Sequence, residues 1–204
     1  MCRLAGSGPP WFLCLSGGPG GGKTELLSRV ATDPALAERA AVLEGAIRGM
    51  RFVRMNPRSP EFQCALVAIQ AATEQSLKRA LAGTGKRVIM CHRGTLDPCA
   101  FWVSFGHSRE SFFEMTGTTL EEHYRRYDVV IHMESAAVRV PEAYMRYPAA
   151  HRPEGVAQAA LLDGLLGELW GGHPRCVKIE GMRDFEEKIE RGMALIRGFV
   201  ASMR

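Results

Sequence analysis

Residues 11–24 read WFLCLSGGPGGGKT, and the rest of the chain is read outward from them. The apolar run Trp11-Phe12-Leu13-Cys14-Leu15 has the length and composition of a buried strand, and the glycines after it end that strand. Gly17, Gly18, Pro19, Gly20, Gly21, Gly22, Lys23 and Thr24 fit the spacing G-x-x-x-x-G-K-[ST]. A strand precedes this loop and a helix from about Lys23 to Val30 follows it. Glycines let the backbone turn its N–H groups inward, with no β-carbon to block a phosphate oxygen. The helix start adds partial positive charge. Lys23 adds a full charge for β- and γ-phosphates, and the Thr24 hydroxyl is a candidate Mg²⁺ ligand. The stretch implies a polyphosphate cradle and leaves ATP versus GTP open.

Downstream, short apolar runs alternate with helical patterns. Asp33-Pro34 reads as an N-cap and first helical residue of a short helix to about Arg39. Ala41–Leu43 is a second strand. Phe62, Leu66, Ile69, Thr73, Leu77 and Leu81 recur at helical spacing, with Gly83 as the stop. Arg87–Cys91 is a third strand, and residues 97–117 predict two short helices. Thr119 and Glu122 predict a capping box that opens a helix to about Tyr127. Asp128–Met133 is a fourth strand. Residues 134–155 hold three prolines and three arginines (Arg139, Arg146 and Arg152) and read as a lid-like, loop-rich insert. A helix from Val156 to Trp170 precedes a fifth strand, Arg175–Ile179. Asp184 and Glu187 cap a last helix with an apolar stripe of Phe185, Ile189, Met193, Ile196 and Val200. Strands alternating with helices predict an α/β fold with a five-stranded parallel sheet, covered on both faces in three layers. Ligands of such sheets sit beyond the carboxyl ends of the strands.

The length, 204 residues, suits one domain spanning 1–204. The hydrophobic content of 46% and charged content of 24% exclude a disordered chain. A net charge of +4 suits an anionic ligand and is too small to argue for nucleic acid. No apolar run approaches the ~20 residues of a transmembrane segment. Six scattered cysteines without a C-x-x-C pair point to reduced thiols and a cytoplasmic protein.

At the end of the third strand, Arg93 is a candidate to grip substrate or transferring phosphate. Asp97 is either a metal-binding or acceptor-orienting carboxylate or a helix cap. His92 stands where an acidic residue would hold Mg²⁺, and imidazole is a poor partner for that hard cation. Asp97, Glu44 or Glu134 would then serve the metal, or turnover would be weak. Glu44, after the second strand, is a candidate general base or hydroxyl-binding group. Among the insert arginines, Arg152 is the one chosen to close over phosphates. Trp170 reads as core, and His107, His123 and His132 lack metal-ligand spacing.

Several ordered pieces carry a family resemblance. They are the Gly17–Thr24 loop, Glu44, Arg93-Gly94-x-x-Asp97, and Tyr127-Asp128-Val129-Val130-Ile131-His132-x-Glu134-Ser135-Ala136. Arg152-x-Glu154, Leu162-Asp163 and Trp170-x-x-His173-Pro174 complete them. The chain resembles the AAA-type, P-loop NTPase-like domain shared by the nicotinamide-riboside-kinase end of the NadR regulator and the animal TRPL translocation defect protein. The resemblance implies a kinase-like P-loop fold using Mg²⁺ with ATP or GTP. In one branch it implies phosphorylation of a small ribosyl substrate, and in the trafficking branch GTP and phosphoinositide binding. The family usually has Asp-Arg-Gly where this chain has His92-Arg93-Gly94, and the pieces favour the translocation-defect branch. Two functions follow as expectations. One is an NTPase or small-molecule kinase using Lys23, Glu44, Arg93, Asp97 and Arg152. The other is a nucleotide-binding switch that reads a protein partner or a phosphoinositide headgroup. A third, blander reading is a degenerate relative that only binds nucleotide.

Overall fold

The computed structural model describes residues 8–50, 55–146 and 154–202. In chain order the elements are β1 (Trp11–Ser16), α1 (Lys23–Thr32), α2 (Pro34–Ala37), β2 (Ala40–Leu43) and α3 (Ala46–Gly49). Then come α4 (Pro60–Ala80), β3 (Val88–His92), α5 (Asp97–Ser104), α6 (Arg109–Thr116), α7 (Leu120–Arg126) and β4 (Val129–Met133). The last are α8 (Ala136–Arg139), α9 (Pro141–Arg146), α10 (Val156–Gly171), β5 (Cys176–Ile179) and α11 (Phe185–Ser202).

The five strands form one parallel sheet in the order β2-β3-β1-β4-β5. β1 lies at its centre, so both its edges are paired and both its faces are covered. Its alternating side chains therefore serve two cores. Leu13 and Leu15 pack with Leu26, Leu27 and Val30 of α1 and with Ile189, Met193, Ile196 and Val200 of α11. Phe12 and Cys14 face the opposite core, with Trp102, Phe112, Leu166 and Trp170. This is the expected α/β fold with helices on both faces. In register, Leu15 lies beside His92 on β3 and Ile131 on β4, and Ser16 lies beside His132. These residues end the strands on one rim, where the glycine loop begins.

Local signals act where they were read. Asp33 accepts from the Ala35 and Leu36 amides to start α2, and the Thr119–Glu122 capping box opens α7. Two expectations need correction. The insert is helical where it is described, because Ala137 and Tyr144 of α8 and α9 bury against Ala159 of α10. Residues 147–153, which include Arg152, lie outside the described residues. Phe185 does not join the buried stripe of α11: it is 46% exposed and sits over the glycine loop, its ring 3.1 Å from where a Gly22 β-carbon would stand. Among the described residues, no helix is long and apolar enough to cross a membrane.

Candidate functional site

α1 begins at Lys23 behind a left-handed Gly22, with no side chain capping it. Its first amides are thereby offered to whatever lies in the loop. The loop is pressed against the end of β4. A β-carbon on Gly17 would stand 2.1 Å from the Met133 carbonyl oxygen, and one on Gly21 would stand 2.3 Å from the same atom. Gly17 also holds φ at +123°, so no other residue fits there.

Three buried side chains from distant parts of the chain hold the loop. Asp163 of α10 accepts the Gly18 amide at 2.7 Å and the Ser135 amide at 2.8 Å through one oxygen, and its other oxygen is 3.2 Å from His132 Nε2. The His132 ring and these amides keep the Asp163 carboxyl below its usual range, against desolvation. Ser135 Oγ donates to the Pro19 carbonyl. Lys188 of α11 donates to the Gly21 carbonyl at 2.8 Å and the Glu134 carbonyl at 2.5 Å, and burial lowers its pKa to about 8. None of the three was singled out as a site residue from the sequence. A signal existed for Asp163, the one acid in the apolar stretch from Val156 to Leu166. Ser135 falls in the family motif that follows the fourth strand, and for Lys188 only the tertiary structure supplies one.

Lys23 is 5% exposed, and its ammonium donates to the carbonyls of Gly17 at 2.7 Å and Gly18 at 2.8 Å. Desolvation, and after it the charge of Arg93, hold its pKa well below the ordinary lysine value. A buried cation beside a second cation is stabilised by an anion, and polyphosphate supplies one.

Arg93 follows β3 with φ at +73°, a strained backbone for a side chain of this size. Its amide donates to the Leu15 carbonyl, and its guanidinium reaches the Gly17 carbonyl and Asp97 Oδ1, each at 3.3 Å. The guanidinium also lies 5.1 Å from the centre of the Phe101 ring. Arg93 thus stands at the loop as expected. Asp97 is fully buried, and both its oxygens are engaged. Ser16 Oγ donates to Oδ1 at 2.8 Å, and Oδ2 accepts the Gly94 amide at 2.8 Å and Trp170 Nε1 at 3.3 Å. Trp170 is core, as read, and it also braces this carboxylate.

Thr24 is exposed at the mouth of the site, and its Oγ1 lies 3.3 Å from His92 Nε2. Glu44 is exposed on the turn after β2, one residue before Gly45, which packs on His92. Glu134, the third carboxylate considered for a metal, is instead tied to Lys178, Arg139 and the Gly181 amide. Arg139 pairs with Glu134 and Glu180.

A second buried polar network, also unread in the sequence, supports the turn after β3. Glu74 of α4 accepts from Tyr127 OH at 2.6 Å and from Gln70 at 2.8 Å. Tyr127 OH in turn accepts the Thr95 amide at 2.7 Å. Gln70 accepts the Ala46 amide at 3.2 Å, so the network ties the β2 turn to the β3 turn. Thr95 Oγ1 is 2.7 Å from His123 Nδ1, whose ring is buried and whose pKa is lowered to about 4, first by desolvation. The unfolded chain takes up this proton near pH 6.5 and the folded one only near pH 4. Stability from this group is therefore complete above pH 6.5 and falls as the pH drops toward 4. The expected loss is about 3 kcal/mol by pH 4. Urea midpoints of wild type and His123→Gln, compared across that window, measure it; parallel pH profiles would contradict it.

The loop geometry, the buried lysine and the parallel sheet describe one arrangement, an anion cradle at the carboxyl rim of the central strand. Comparison with curated proteins gives no match. A family model described as an AAA domain matches residues 12–188, from the second residue of β1 to the lysine that closes the loop, and the chain belongs to that family.

Proposed function

We propose that the protein binds a nucleoside triphosphate, ATP or GTP, in the 17–24 loop and acts on its terminal phosphate as an NTPase or a small-molecule kinase. Membership of the AAA domain family implies nucleotide binding. The observation that carries the reading is Lys23: buried, with its proton held weakly beside Arg93, and aimed into a loop that no side chain can fill. In this reading Lys23 takes the β- and γ-phosphates, the α1 amides take the remaining charge, and Arg93 swings from the Gly17 carbonyl onto the transferring group. Glu44 orients an acceptor hydroxyl or water at the open side, and Arg152, which lies outside the described residues, is assigned to the phosphates on its chemistry alone. Asp97 holds Arg93 in place. Phosphoryl transfer asks little covalent chemistry of the protein, so positioning and charge carry it.

Mg²⁺ usually accompanies such nucleotides, but the residues around Thr24 fit it poorly. The hydroxyl faces an imidazole, and the buried carboxylate nearby already takes four donors. That observation favours the second reading, a nucleotide-dependent switch of the cytoplasm related to the TRPL translocation defect protein, with little turnover and a protein or phosphoinositide headgroup as its partner. Thermal-shift measurements with ATP, GTP and their diphosphates, with and without Mg²⁺, test the common core of both. A ligand that binds the native state at a hundred times its Kd stabilises by about 2.7 kcal/mol, a rise of several degrees. No rise with any nucleotide would overturn both readings. Formation of ADP or GDP together with phosphorylated riboside, and without free phosphate, on adding nicotinamide riboside would favour the kinase, and nucleotide-dependent binding of phosphoinositide vesicles would favour the switch.

A further inference from the structure

The glycine loop divides its carbonyls between two sides. Those of Gly17 and Gly18 face inward and accept the Lys23 ammonium. The next three face outward, each onto a group from beyond the loop. Pro19 accepts from Ser135 Oγ, Gly20 from the Ala136 amide at 3.4 Å, and Gly21 from Lys188 Nζ at 2.8 Å. In a trans peptide the C=O and the N–H of the following residue point in opposite directions, and among the described residues no peptide bond is cis. The first peptide of the loop shows the rule. The Gly17 carbonyl turns in to Lys23, and the Gly18 amide turns out to Asp163. By the same rule the outward carbonyls of Pro19, Gly20 and Gly21 turn the Gly20, Gly21 and Gly22 amides inward. The Gly18 carbonyl takes up the Gly21 amide at 3.3 Å. Among the described residues, neither the Gly20 nor the Gly22 amide has an acceptor.

We propose that Lys188 and Ser135 are positioning residues for polyphosphate: each holds one loop carbonyl outward and so aims the next amide, Gly22 for Lys188 and Gly20 for Ser135, into the cradle. The inference rests on the nucleotide reading above and names the side chains that prepare its loop. The backbone alone does not fix these peptides. Gly20, Gly21 and Gly22 carry no β-carbon, so a peptide released from its outer partner can turn its carbonyl inward. A carbonyl oxygen in that place repels phosphate, whereas an amide donates a charge-assisted hydrogen bond to it. Lys188 is 3% exposed and Ser135 is fully buried, so water does not stand in for either donor unless the loop rearranges. Lys188 also donates to the Glu134 carbonyl, one residue before Ser135, so both donors are anchored at the turn after β4.

Amide proton–nitrogen NMR of the full chain, titrated with inorganic tripolyphosphate and then with ATP and GTP, tests this residue by residue. In the wild type the Gly20 and Gly22 amide protons are both expected to move downfield as the phosphates bind. In Lys188→Met the Gly22 movement is expected to disappear while that of Gly20 persists, and in Ser135→Ala the pattern is expected to reverse. A merely structural role would weaken both movements together. Calorimetry is expected to show roughly tenfold weaker tripolyphosphate binding by Lys188→Met, the loss of one charge-assisted hydrogen bond. Bound tripolyphosphate that leaves the Gly20 and Gly22 amides of the wild type unmoved would overturn the inference and leave nucleotide binding standing. So would a Lys188→Met variant whose Gly22 amide moves as in the wild type, because the ammonium would then act by its charge alone. No binding of tripolyphosphate or of either nucleotide by the wild type would overturn both. The wild-type titration is decisive by itself, so a variant that fails to fold does not obscure the result.

Discussion

Lys23→Met is expected to unfold at an equal or higher temperature than the wild type without nucleotide, and to bind nucleotide at least tenfold more weakly. Both effects have one cause. The ammonium is buried beside Arg93, and desolvation depresses its pKa, so the charge costs the ligand-free protein stability. Methionine has nearly the same length and no charge. The desolvation that depresses the lysine pKa is a cost methionine does not carry, and it offsets the lost hydrogen bonds to the Gly17 and Gly18 carbonyls. With polyphosphate bound, the same ammonium makes charge-assisted hydrogen bonds worth about 1.5–3 kcal/mol each, which corresponds to roughly 10- to 100-fold in affinity. Melting curves read the first effect and calorimetric titration the second. Undiminished affinity in the variant would remove the cradle from the account of function.

Asp97→Ala is expected to have the opposite sign on stability and a larger size. It removes the acceptor of Ser16 Oγ, the Gly94 amide, Trp170 Nε1 and the Arg93 guanidinium, three of them buried groups. It also leaves the charges of Arg93 and Lys23 without the carboxylate that offsets them. Breaking a buried ion pair from one side costs about 3–5 kcal/mol. Asp97→Asn keeps the shape but turns an NH₂ toward donors, so it is expected to cost about 2 kcal/mol. Urea midpoints measure both. A loss of under half a kcal/mol in Asp97→Ala would show that the carboxylate is incidental to this turn.

The parts of this molecule visible in the sequence are those whose physics is local. The loop from Gly17 to Thr24 shows itself because glycine freedom, a helix start and a lysine must occur at fixed spacing for phosphate to be reached. The Asp33 and Thr119 caps show themselves because each acts on amides two or three residues away. Arg93 and Asp97 were legible as separate candidates after the third strand, and in the structure they meet. The rest of the site depends on partners far apart in the chain. Gly18 and Asp163 are separated by 145 residues, and Lys188 and Gly21 by 167. A lone acid in an apolar helix can mark a buried contact but cannot name its partner. Phe185 misled in the other direction: helical spacing put it in the core stripe, whereas the end of α11 lifts it over the loop.

The ammonium of Lys188 joins the cradle at the front of the chain to its final helix. A ribosome delivers Gly21 167 residues before Lys188. Closing so long a span carries a large entropic delay, and contacts of this kind form late. The glycine loop is therefore expected to lack this brace in the nascent polypeptide until α11 has emerged and docked.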